Sequence, residues 1–104
     1  MYPKEPVEEY DGYKALCAAI ILRACVDYLH LKRELWSVEY GAYARSVEVK
    51  LNRLVQFFTG GWFVTLADDL DGQWLVEQLD ILFDEAVRSN DFSNIERITQ
   101  LQIS

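Results

Sequence analysis

Apolar residues recur along most of this chain at steps of three and four, the spacing of one helical face. From Asp11 onward, Tyr13, Cys17, Ile20, Ala24, Tyr28, Leu31 and Leu35 step in this way, and Leu16, Ile21 and Leu22 widen the stripe. A helix apolar over so much of its circumference is expected to lie centrally, touched by several neighbours. Arg23 and Asp27 fall four apart on its remaining face, where they can pair. Residues 36–42 are less regular, with Ser37 and Gly41 suggesting a turn. A second helix is clear by Arg45, with Val47, Leu51, Leu54, Val55 and Phe58 on its apolar face. Thr59-Gly60-Gly61 is expected to end it through a left-handed glycine.

Residues 62–66 (Trp-Phe-Val-Thr-Leu) have strand-like composition, but no second strand is present to pair with them, so they are read as a short helix. Asp71 or Asp69 is the expected N-cap of a third long helix from about Gly72 to Arg88. Its apolar face is Leu75, Val76, Leu79, Leu82, Phe83, Ala86 and Val87. Ser89-Asn90-Asp91 breaks it. Ser93 with Glu96 predicts a capping box on a short last helix, with Ile95, Ile98, Leu101 and Ile103 facing inward. Residues 1–10, with Pro3 and Pro6, read as an irregular N-terminal arm, and 11–104 as a single helical domain. The expected architecture is all-α: a small bundle of three long helices plus one or two short ones.

Charge sharpens this picture. The 104 residues carry a net charge of -7. Positions 1–67 hold eight acids and eight bases, whereas positions 68–104 hold nine acids against Arg88 and Arg97 alone. Within that last third, Glu77, Asp80 and Asp84 are expected to form one ridge opposite the apolar face of the third helix. The candidate partner-binding residues are Asp68, Asp69, Asp71, Glu77, Asp80, Asp84 and Glu85. Such a ridge suits a basic partner and repels a phosphate backbone. A nucleic-acid surface built from Arg23, Lys32, Arg33, Arg45, Lys50 and Arg53 is the weaker alternative.

No residue pattern predicts catalysis. His30 is the single histidine and reads as a surface or boundary residue; Cys25 and Asp27 are poorly placed around the helix to join it on zinc. Asp69-x-Asp71-Gly72 fails the register of a calcium loop, because position one would be Ala67 and position twelve Gln78. Gly60-Gly61 lacks a phosphate-loop lysine. No cofactor or metal is expected. Cys17 and Cys25 lie eight apart in one helix, ~12 Å along its axis, too far for a disulfide. Free thiols point to a reducing, cytoplasmic setting. The longest uncharged apolar run, Ala15 to Leu22, is far short of the ~18 residues of a membrane span, and the acidic residues before it do not suit a secretory signal. The rings of Phe57, Phe58, Trp62, Phe63 and Trp74 read as core, with one of Trp62 or Trp74 left partly exposed as an interface anchor.

Three stretches together resemble a family of small phage and prophage proteins. They are Ala19-Ile20-Ile21-Leu22-Arg23-Ala24-Cys25-Val26-Asp27-Tyr28, then Phe57-Phe58-Thr59-Gly60-Gly61-Trp62-Phe63-Val64-Thr65-Leu66, then Asp71-Gly72-Gln73-Trp74-Leu75-Val76-Glu77-Gln78-Leu79. Members of the family commonly carry serine and a charged residue where Gly60 and Gly61 stand, so the turn differs here. The resemblance covers residues 15–82 and implies a mobile-element origin more than an activity. Phage genomes are rich in short cytosolic proteins that bind one host protein and block it, and anti-CRISPR inhibitors, many of them acidic and near this length, are a prominent class. By analogy, the expected function is a non-enzymatic inhibitor in the host cytoplasm, its acidic helix face occupying a basic channel such as that of a CRISPR effector nuclease. The competing expectation is a self-associating accessory protein whose widely apolar first helix forms a homodimer.

Overall fold

The computed structural model describes residues 4–38, 41–67 and 70–100, with side chains from residue 12 onward. Five helices follow in order: α1 (Lys4–Ser37), α2 (Ala42–Thr59), α3 (Gly61–Ala67), α4 (Gly72–Ser89) and α5 (Ser93–Thr99). Every regular element among the described residues is helical. None of these helices is long and apolar enough to cross a membrane.

Helix α1 starts at Lys4, so the arm expected to be irregular is helical from that residue; residues 1–3 lie outside the described set. Pro6 sits in its first turn, where a missing backbone N–H breaks no helical hydrogen bond. Residues 61–67 form the short helix α3 rather than a strand. Helix α2 does not end on a left-handed glycine: Gly60 is extended, with φ -97° and ψ 179°. Its role is close approach, because a Cβ there would lie 2.8 Å from the Gln56 carbonyl oxygen. The left-handed residue is Asn90, which closes α4 with φ 56°. The next N–H, of Asp91, reaches back to the Ala86 carbonyl at 3.0 Å, as in a Schellman turn.

The core is assembled from all five helices. Ala24, Cys25, Tyr28 and Leu29 of α1 meet Val47, Leu51 and Phe58 of α2, Phe63 of α3, and Val76, Leu79, Phe83 and Ala86 of α4; Phe92 and Ile95 cover the far end. Phe57, Phe58 and Phe63 pack edge to face at centroid distances of 5.5 to 5.8 Å. Phe58 and Phe63 are each 1% exposed, so each contributes roughly 1.5–3 kcal/mol of burial. A second aromatic group, Trp36, Phe92 and Phe83, fastens α5 to α1 and α4.

The helices differ in length, and this shapes the molecule. Thirty-four residues make α1 about 51 Å long, whereas eighteen give α2 and α4 about 27 Å each. The Tyr28 and Phe58 rings touch, and Gly72 packs on the Phe58 carbonyl, so α2 ends and α4 begins near Tyr28, well short of the N-terminal end of α1. The N-terminal half of α1 therefore has neither long helix beside it, consistent with overall extents of 58 × 27 × 22 Å. Tyr13 and Leu16 are more than half exposed and Ile20 is 39% exposed, so these three leave the expected buried stripe, while Cys17, Ala24 and Tyr28 keep it.

Candidate functional site

Of the seven carboxylates expected to act together, the five among the described residues take up separate tasks. Asp68 and Asp69 lie outside the described residues. Asp71 is the N-cap of α4 and accepts the Gln73 N–H at 3.0 Å, so capping is its structural task. Glu77 accepts from the Gln73 side-chain amide at 3.3 Å, one turn away on the same helix. Asp80 is committed to α1: it accepts the Tyr28 hydroxyl at 2.5 Å and meets the Lys32 ammonium at 3.4 Å. Burial, then Asp80 itself, then the nearby charge of Asp84 push the Tyr28 phenol well above the ordinary tyrosine range. Asp84 and Glu85 are exposed and form no salt bridge among the described residues.

This arrangement corrects the expected ridge. Successive residues of a helix turn by about 100°, and Val76, Leu79, Phe83 and Ala86 mark the buried side of α4. Of the three, Asp80 then lies on the flank of that side, while Glu77 and Asp84 turn roughly 120–140° from its centre toward the outward side, and Glu85 lies about as far round the other way. Opposite the core stand Trp74 and Ile81, 49% and 50% exposed, with Arg88 one further pair of turns along. Periodicity explains why the ridge was misplaced. Asp80 is only about 80° from the centre of the apolar side, close enough for α1 to reach it.

The aromatic residues also divide unexpectedly. Phe57, Phe58 and Phe63 are core, but Trp62 is 73% exposed and Trp74 49%, so both tryptophans face outward. Trp62 shares α3 with Val64, which is 67% exposed. A hollow of about 300 Å³ runs between Val64, Leu70 and Gln73, with Phe58 and Phe63 at its base. A wider hollow of about 520 Å³ at the other end of α4 is lined by Leu82, Glu85, Arg88, Asp91 and Asn94, among others.

The basic residues are likewise split. Arg23 pairs with Asp27 at 3.4 Å, Lys32 with Asp80, and Arg33 with Glu96 at 2.9 Å. Arg33 also lies 4.5 Å from the Phe92 ring centre, and Lys32 lies 5.5 Å from that of Phe83. These two cations hold helices together. Lys50 and Arg53 form no salt bridge among the described residues; with Asp27 and the exposed His30 they rim a groove of about 450 Å³ floored by Leu31 and Leu54.

The expected capping box does not form: Ser93 is the first residue of α5 and not its N-cap, which is Phe92 without a side-chain cap, and Glu96 is engaged by Arg33. Asp91, just before α5, accepts the Ser93 N–H at 3.0 Å and the Ser93 hydroxyl at 2.7 Å, which holds its carboxyl below the usual aspartate range. Leu101 and Ile103 lie outside the described residues. Cys17 and Cys25 are both free and buried, and burial pushes the Cys25 thiol up to about 11. No group of three or more metal-ligating side chains occurs among the described residues. Comparison of the chain with protein-family models, with curated proteins and with solved structures gives no match.

Proposed function

We propose that the protein is a non-enzymatic inhibitor of phage origin that docks on a basic surface of a host protein through the outward side of α4. The observation that carries this reading is the pairing of two half-exposed apolar side chains, Trp74 and Ile81, with unneutralised carboxylates on both sides of them. Glu77 and Asp84 border one edge and Glu85 the other. A tryptophan anchor ringed by charge is the usual composition of a protein-binding hot spot. Acidic flanks steer that surface toward a cationic partner and away from nucleic acid. Relative to the full set of seven carboxylates, the working subset is Glu77, Asp84 and Glu85, because Asp71 and Asp80 already have intramolecular roles.

The target class we favour is a nucleic-acid-processing host protein with a cationic channel, such as a CRISPR effector nuclease. The host cytoplasm is the matching compartment, since two buried free thiols suit a reducing medium. In this reading the helices form a small bundle of three long and two short members, with α4 as its presenting face. The test is nuclease inhibition and direct binding by wild type and by the triple variant Glu77→Lys, Asp84→Lys, Glu85→Lys. All three positions are exposed, so native helicity is expected with at least tenfold weaker binding. Unchanged affinity at low ionic strength, where charge attraction is greatest, would refute the acidic-face mechanism.

A further inference from the structure

We infer that the groove between α1 and α2 receives the outward side of α4 of a second copy of this chain. The floor of the groove is Leu31 of α1 and Leu54 of α2, and its volume is about 450 Å³. Lys50, Arg53 and His30 rim it, and all three are exposed. The rim's one carboxylate, Asp27, is already paired with Arg23. Glu34, one turn beyond His30, accepts the Tyr43 hydroxyl. Lys50 and Arg53 thus stand beside an apolar floor with no salt bridge among the described residues. Such a groove suits a helix that carries an apolar side chain and, one turn along, a carboxylate.

The outward side of α4 carries that pattern twice. Glu77 follows Trp74 by three residues, and Asp84 and Glu85 follow Ile81 by three and four. Trp74 and Ile81 are about half exposed, and the three carboxylates are exposed. The other helices offer no such match: α2 sets Glu48 among Arg45, Lys50 and Arg53, α3 has no acid, and Glu96 of α5 is paired with Arg33. Within one molecule the outward side of α4 points away from the core that α1 and α2 share, so only a second copy brings the two surfaces together. One helical turn with its side chains fills roughly 500 Å³. The groove therefore admits the side chains of one face of α4 rather than the helix itself, as in ridge-into-groove packing. Groove and α4 are unlike surfaces, so each copy offers one of each. The net charge of -7 on every copy opposes approach, which makes the contact weak and concentration-dependent. Where it forms, it covers the docking side of α4.

Sedimentation of the full chain tests this. The weight-average mass is expected to rise above 12.1 kDa as concentration approaches about 100 µM. Lys50→Glu with Arg53→Glu should hold the chain at 12.1 kDa, and so, separately, should Trp74→Ala with Ile81→Ala. All four residues are exposed, so both variants should keep native helicity. Mixed in equal amounts, the two variants should form a species of twice the monomer mass, because one retains α4 and the other retains the groove. That rescue requires contact between unlike surfaces; a seam that pairs with its own copy does not produce it. A concentration-independent wild-type monomer overturns the inference. So does association that survives either pair of substitutions, or a mixture that stays at 12.1 kDa. The groove variant keeps the α4 side whole, so host capture by it reads the proposed function separately, whichever way sedimentation falls.

Discussion

Three glycines along the α2–α3–α4 connection form a graded probe of how these helices meet. A Cβ added at Gly72 would fall 1.7 Å from the Phe58 carbonyl oxygen and 2.7 Å from its carbon. Both are backbone atoms at the end of α2, so no rotamer change relieves the overlap. One helix must move, and that opens the Phe58–Phe63 contact with its centroid distance of 5.6 Å. Loosening two fully buried phenylalanines by overpacking is expected to cost about 3 kcal/mol or more. At Gly60 the nearest atom is the Gln56 carbonyl oxygen at 2.8 Å, a milder overlap at a half-buried helix end, and Gly60→Ala should cost about 1 kcal/mol. At Gly61 a Cβ meets nothing within 4 Å, so Gly61→Ala should be neutral or stabilise by up to about 0.5 kcal/mol through helix propensity. Urea unfolding followed by circular dichroism would give the three values from one host. At this chain length, about 3 kcal/mol corresponds to a Tm loss of roughly 12–24 °C. If Gly72→Ala lies within 1 kcal/mol of wild type, α4 does not start against the Phe58 carbonyl, and the placement of its outward face is wrong with it.

Further outcomes follow from the buried polar and titratable groups. Tyr28→Phe removes a hydrogen bond to an ionised acceptor and should destabilise by about 1.5–3 kcal/mol at pH 7, measured by the same unfolding assay. Because the native Tyr28 phenol titrates above its unfolded value, the wild-type stability it supplies is full below about pH 10 and declines as pH rises beyond it; Tyr28→Phe should lack this alkaline component. The depressed Asp91 carboxyl has the opposite sign: its contribution is present above the unfolded aspartate value and is lost as pH falls, so wild type and Asp91→Asn should converge in stability in acid. Cys25 should react with a thiol reagent at pH 8 only as fast as the core opens, and urea below the transition should accelerate it; immediate labelling contradicts its burial.

Much of the secondary structure was legible because it rests on local chemistry. The three-and-four spacing located α2 and α4, the Asp71 side chain marked the start of α4, and Asn90 marked its end. The absence of a pairing partner was enough to read residues 62–66 as helix despite their β-branched content, and the helix observed there is α3. What could not be read depends on residues far apart in the chain. Asp80 looked like part of a free ridge because its partner Tyr28 is 52 positions away. Glu96 looked like a capping residue because Arg33, which takes it, is 63 positions away. Tyr13 and Ile20 had the spacing of core residues, but periodicity carries no information about how far α2 and α4 extend beside α1. The same limit applies to Gly72, whose constraint is a backbone oxygen on another helix.

The central claim is that the outward side of α4 is a docking surface, and paired affinity capture from host lysate tests it most directly. Wild type and the variant Trp74→Ala, Glu77→Lys, Asp84→Lys, Glu85→Lys would be immobilised at equal density and probed with one lysate, with bound proteins quantified by mass spectrometry. The account predicts a basic host protein enriched on wild type and reduced at least tenfold on the variant, with both proteins equally helical. Equal retention of every bound protein on the two surfaces would contradict it.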